Sequence, residues 1–214
     1  MGDDTFSKLV FEANIKSKCL IKKANMLLGK FGHSLCIAKG NILSIGGYYK
    51  SSLSDCQSYY VAQDKWVNIP NLILARTLCS SFLFNYKLMY ALCGSNGNGK
   101  RYNSIEKIDV DQSKQWESVE CFPPFMRDSM GAIQIRPSKV LVFGGDSGIS
   151  ESYIIEMSGT LEFSECCNLE KSAFFSWTTA PVCYEGSVYG VDGDRSIHIY
   201  SIKDNKWRIV SNSI

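Results

Sequence analysis

The chain has 214 residues, 45% of them hydrophobic and 21% charged, which is enough for one domain with a substantial core and too apolar for a disordered chain. A formal net charge of +2 gives no basis for nucleic acid or an anionic membrane as partner. No window approaches the roughly 18 uninterrupted apolar residues that a membrane helix requires.

The N-terminal MGDDTFSKLV carries two aspartates and no apolar stretch, so it does not read as a signal peptide. Phe6 stands where a myristoylation motif needs Ser or Thr. LVFEANIKSKCLIKK (9–23) reads as two short strands. Nine cysteines follow along the chain with no C-x-x-C pair, most of them inside apolar runs. That usage fits small buried hydrophobes in a reducing compartment better than a disulfide framework or a zinc site, and the expected location is cytoplasmic.

From residue 30 onward a repeat organises the sequence. ILSIGG (42–47), LMYALCG (88–94), VLVFGG (140–145) and SVYGVDG (187–193) are apolar runs that end on small residues. Their marker glycines, Gly47, Gly94, Gly145 and Gly193, lie 47, 51 and 48 residues apart. After them come SYYVAQDKW (58–66), KIDVDQSKQW (107–116) and HIYSIKDNKW (198–207), each closing on a tryptophan. Before them stand basic residues, Lys30, Arg76 and Arg127, 17 or 18 positions upstream. The third repeat has no tryptophan, and Phe163 takes the aromatic place. Period-two alternation of Ile, Val, Tyr and Phe between Gly, Asn, Asp and Ser predicts strands throughout. In the second repeat these fall at Leu78–Phe84, Lys87–Cys93, Ser104–Val110 and Gln115–Val119, with DQSK (111–114) as the last turn.

A basic residue, two strands, a di-glycine and then spaced Tyr and Trp resemble the kelch repeat over nearly the whole chain. The resemblance implies an all-β fold, a kelch-type β-propeller in which each repeat is one blade of four strands, a to d. The blades would occupy 31–70, 76–120, 128–166 and 177–211 of a single 1–214 unit, after a half blade (strands c and d) at about 5–23. Kelch propellers generally have five to seven blades, so an incomplete propeller is expected, either a truncated product or one that another chain completes.

Chemical motifs are few. GSNGNGKR (94–101) matches the glycines and lysine of a P-loop, but Arg101 replaces the magnesium-binding hydroxyl residue and an extended segment follows in place of a helix. The two histidines, His33 and His198, lie in different repeats and cannot supply the copper site of the galactose-oxidase-like members of the family; structural roles are expected for both. No cofactor and no metal are expected. In an up-and-down blade the b–c loops and the d–a connections share one face. That face would carry Tyr48, Tyr49, Lys50, Asn96, Asn98, Lys100, Arg101, Asp146, Ser147 and Ser150, bordered by Arg76 and Arg127. For the three basic residues Lys30, Arg76 and Arg127 the favoured reading is structural, pairing with backbone carbonyls or blade neighbours, and a place on the binding face is the other. The expected function is a non-catalytic protein–protein interaction module. Its partner would be a protein or peptide, favoured if it carries an acidic segment. The competing reading is a propeller enzyme, such as a sugar mutarotase or epimerase, with Arg127, Asp146 or Asp194 around the axis. A third is a non-functional propeller fragment.

Overall fold

The computed structural model describes residues 6–146, 149–170 and 180–210, so the outer limits expected for the half blade and the fourth blade fall outside the described residues. β1 (Val10–Asn14) and β2 (Cys19–Lys23) form a two-stranded sheet, the expected half blade. Blade 1 begins with β3 (Ser34–Ala38) and β4 (Asn41–Ile45), and its b–c loop holds a small ribbon of β5 (Tyr48–Tyr49) and β6 (Ser51–Ser52). β7 (Cys56–Tyr60) and β8 (Lys65–Ile69) complete it. Blade 2 is β9 (Ser80–Phe84), β10 (Leu88–Leu92), β11 (Ile105–Asp109) and β12 (Glu117–Val119). Blade 3 is β13 (Gly131–Arg136), β14 (Lys139–Phe143), β15 (Ser152–Glu156) and β16 (Glu162–Glu165). Blade 4 is β17 (Val182–Tyr184), β18 (Ser187–Val191), β19 (Ile197–Ser201) and β20 (Lys206–Val210). Within each blade the strands pair antiparallel in chain order.

Side-chain alternation along a strand is what lets one sheet bury both faces. In β10, Met89 and Ala91 point into the interface with blade 1, while Tyr90 and Leu92 point into the interface with blade 3. Three apolar cores result, one between each pair of successive blades, and a smaller one joins the half blade to blade 1. The repeat tryptophans fill these gaps. Trp66, Trp116 and Trp207 are all buried and face the preceding sheet, and their indole N–H groups donate to Ala24 O, Pro70 O and Ser152 Oγ at 3.1, 2.9 and 3.1 Å. In blade 3 the smaller Phe163 takes the same place, edge-on to Phe125 at 6.0 Å.

All four strands of blade 2 are shorter than alternation alone predicts, and for the first two the backbone shows why. Leu78 and Cys93 each adopt φ 56°, a left-handed conformation that no strand continues through. Cys93 stands where blades 1 and 3 have Gly46 and Gly144, both also at positive φ, so the second repeat keeps the backbone turn without the first glycine.

Candidate binding face

The glycine marker and the upstream basic residue turn out to be one device. A Cβ on Gly46 would lie 2.4 Å from Arg76 O, and one on Gly94 would lie 2.7 Å from Thr77 O. Bare glycine therefore admits a d–a connection against the end of strand b: at Gly94 that of its own blade, at Gly46 that of the next. The backbone of the next blade's connection is tied there: Gly47 N–H donates to Arg76 O (3.0 Å) and Gly94 N–H to Arg127 O (3.2 Å). The side chain of the same residue then reaches forward into its own blade. Arg76 donates to Cys93 O (2.8 Å), Ser104 O (3.1 Å) and Glu106 Oε1 (2.7 Å); Arg127 donates to Gly144 O (3.0 Å) and Glu151 O (3.2 Å). Lys30 does the same in blade 1, with Asp55 O at 3.1 Å and Asp55 Oδ2 at 2.8 Å.

Arg76 and Arg127 take the structural role on backbone carbonyls and do not border an exposed face, being 0% and 4% exposed. Their charge is spent on carbonyl oxygens that would otherwise be buried without a donor. Asp55 and Glu106, which complete two of these rivets, were not singled out from the sequence. They follow their marker glycines at different distances, and blade 3 uses a backbone carbonyl instead, so no recurring signal points to them.

The b–c loops lie together above these rivets. Phe31 and Tyr48 bridge as an isolated antiparallel pair with rings 5.3 Å apart, Phe6 packs tilted against Phe31 at 5.0 Å, and Lys50 Nζ sits 5.5 Å over the Tyr49 ring. Gly97 of the second loop comes against Tyr48 so closely that a Cβ there would be 2.8 Å from the ring. Ser95 bridges both Thr77 and Arg101. Arg101 then spans to the next blade, pairing with Asp128 (3.5 Å) and with Asp146. The first, second and third loops thus form a continuous surface. Lys50, Asn98, Lys100 and Arg101 are exposed on it, and Tyr48, Tyr49, Asn96 and Asp146 are partly exposed. Ser147 lies outside the described residues.

The P-loop resemblance fails on geometry. Asn96 Oδ1 accepts the N–H groups of Asn98 (2.9 Å) and Lys100 (3.1 Å), and Asn96 N–H donates to Lys100 O. The loop amides close on their own asparagine, an Asx-type turn, so they do not form a phosphate cradle.

A cavity of about 690 Å³ runs between the inner strands of the four blades. Its wall is largely apolar, with Leu35, Ile37, Leu83, Met130, Ile133 and Val182; His33, Ser34, Ser81 and Gln134 supply polar atoms. Ser34 and Ser81 bond to each other at 2.7 Å. Arg127, Asp146 and Asp194, the candidates for acid–base work, are not in its lining. Among the described residues no group of three His, Cys, Asp or Glu side chains could hold a metal ion. His198, 0% exposed, is held by Asp192 Oδ2 at 2.8 Å, and Asp192 Oδ1 also accepts the amides of Asp194 and Ser196.

His33 has a consequence for stability. Burial, with Lys30 adding like charge, lowers its pKa to about 4 from an ordinary 6.5. Between those values the unfolded chain holds a proton that the folded chain does not, so stability falls as pH drops from 6.5 toward 4 and levels off below. With allowance for its partial exposure, the loss by pH 4.5 is on the order of 2 kcal/mol. Urea unfolding at pH 7 and 4.5 checks this, with His33→Gln expected to remove most of that difference. Burial also pushes the thiols of Cys56, Cys79 and Cys93 up to about 12, 11 and 12, while Cys19 and Cys183 are exposed.

Comparison with known proteins agrees with this architecture. The model of the Kelch motif matches residues 30–73, from the first basic residue to just beyond blade 1. No curated protein matches the sequence. Among solved structures, YjhT superposes with a TM-score of 0.75 at 14% identity, covering 94% of this chain and 76% of that one. Motif and fold together make the chain a kelch-type β-propeller, with four four-stranded blades and an N-terminal half blade.

Proposed function

We propose that the chain is a non-catalytic protein-interaction module that binds its partner through the b–c loop face. The observation that carries this reading is the continuous surface from Tyr49 to Asp146, built from loops that the buried rivets hold in place. Rigidly held loops with exposed aromatic, Asn and basic side chains are the usual makings of a protein-binding surface. Among the described residues the Lys50 and Lys100 ammonium groups have no carboxylate partner, whereas Arg101 is already engaged within the fold. Two such cations on this face, Lys50 lying over the Tyr49 ring, suit a peptide or protein segment that carries acidic residues. Thiols in place of disulfides fit a reducing cytoplasm as the site of action.

The size of the axial cavity favours the alternative, an enzyme acting on a small molecule, but its wall is largely apolar and, among the described residues, carries no carboxylate. Lys50→Ala/Lys100→Ala tests the binding reading. Recovery of the partner in a pulldown is expected to fall at least tenfold with unfolding unchanged, and unchanged recovery would count against the face.

A further inference from the structure

We propose that the b–c loop face recognises a polypeptide segment carrying two acidic side chains, each with a large apolar neighbour. Two matched sets on adjoining blades would receive it, each made of one lysine from a b–c loop and apolar side chains from a d–a connection. The proposal rests on the reading of this face as a protein-binding surface and adds the chemistry of the segment it takes. The connection 70–79 carries Ile73 at 53% and Leu74 at 39% exposed, and the connection 120–130 carries Phe122 at 68% and Met126 at 60%.

One exposed hydrophobic residue is ordinary on a folded protein and calls for no explanation. Here the core's need is already met by the same connections, because Leu72 and Phe125 are buried in the cores on either side of blade 2. The exposed neighbours are left over, and they are held in place. Ile73 and Leu74 donate their amides to the buried Glu106 carboxylate. In the connection 24–33, Leu27, also exposed, donates its amide to Gln57 Oε1 at 3.1 Å, and Gln57 has the register of Glu106 in blade 1. Apolar side chains on a backbone fixed in this way lose little freedom when a partner covers them.

Each apolar set flanks a loop that carries a lysine. Leu72 N–H donates to Ser54 O (2.9 Å) and Arg76 N–H to Leu53 O (3.0 Å), so Ile73 and Leu74 run beside the end of the loop that bears Lys50. Met126 stands two residues before Asp128, which pairs with Arg101, the neighbour of Lys100. Arg101 is already engaged by Asp128 and Asp146, so each set offers one lysine without a carboxylate among the described residues. The combination decides the class of partner. Nucleic acid would answer the lysines with phosphates but leave the apolar side chains in water. An anionic bilayer is held by clusters of about four to eight basic residues, and two lysines fall short of that. A polypeptide segment supplies carboxylates and apolar side chains together, the first steering its approach and the second burying area.

Panning a phage-displayed library of random dodecapeptides on the full chain tests the proposal, with the affinity of the selected peptides read by fluorescence anisotropy. The selected peptides are expected to combine Asp or Glu with Leu, Ile, Phe or Met. Ile73→Ser/Met126→Ser is expected to weaken them about tenfold or more, and so is Lys50→Ala/Lys100→Ala. Leu74→Ser/Phe122→Ser replaces the first pair if that pair moves the unfolding midpoint. Peptides that are acidic alone, or that respond to the lysine variant and to neither serine pair, would overturn the proposal and leave the binding face standing. Peptides insensitive to the lysine and serine variants alike, or no selected peptide, would overturn both. Binding to phosphatidylserine vesicles with no peptide selected would overturn both as well, assigning the face to a lipid surface.

Discussion

Arg76→Met is expected to lower the unfolding free energy by about 3–5 kcal/mol, the usual cost of removing one member of a buried ion pair. The guanidinium is 0% exposed and makes four contacts: Cys93 O, Ser104 O, Ser104 Oγ and the Glu106 carboxylate. Methionine fills much of the volume and leaves all four acceptors in place without their donor. Glu106 would keep only the amides of Ile73 (2.6 Å) and Leu74 (3.1 Å) to stabilise a carboxylate that is 1% exposed. Glu106→Gln keeps an acceptor for those amides and should cost less. Because the two residues share one network, Arg76→Met/Glu106→Gln should destabilise by less than the sum of the single changes. Urea unfolding of the three variants decides it. A loss under 1 kcal/mol for Arg76→Met would show that the rivet does not hold blades 1 and 2 together.

Trp116→Ala should cost a similar amount, about 3–5 kcal/mol, through lost burial and the cavity left behind. Its ring lies in the core between blades 1 and 2, with Leu43, Ile45, Met89 and Ile108, and its N–H satisfies Pro70 O. Trp66 has the same register but faces the two-stranded half blade, packing with Met26 and Tyr59 in a core of three buried residues. Trp66→Ala is therefore expected to cost less. Equal losses in the two variants, measured by the same unfolding assay, would mean that the half blade covers blade 1 as fully as a whole blade does.

The repeat was legible in the sequence because its signals recur at fixed spacing. Period-two alternation placed the strands, the glycines placed the ends of strand b, and the tryptophans placed the gaps between sheets. The missing tryptophan of blade 3 was legible too, since Phe163 keeps the register. Side-chain direction was less legible. Arg76 and Arg127 have the same charge as Lys50 and Lys100, and nothing local separates a buried rivet from an exposed contact. The difference is made by Cys93 O and Gly144 O, 17 residues downstream in each case. Arg101 was read only as a residue of the binding face for the same reason, because its partners Asp128 and Asp146 come from the next blade. The aromatic neighbours Phe6 and Phe31 of Tyr48 and Tyr49 were also missed, because the half blade gave no register for the residues around it.

Amide hydrogen exchange on the chain with and without its recovered partner tests the binding face most directly. Binding through that face predicts slowed exchange at residues 48–50 and 96–101, with no change at the turns 85–87 and 111–114 on the opposite side. Protection confined to those opposite turns, or to blade 4 alone, would contradict it.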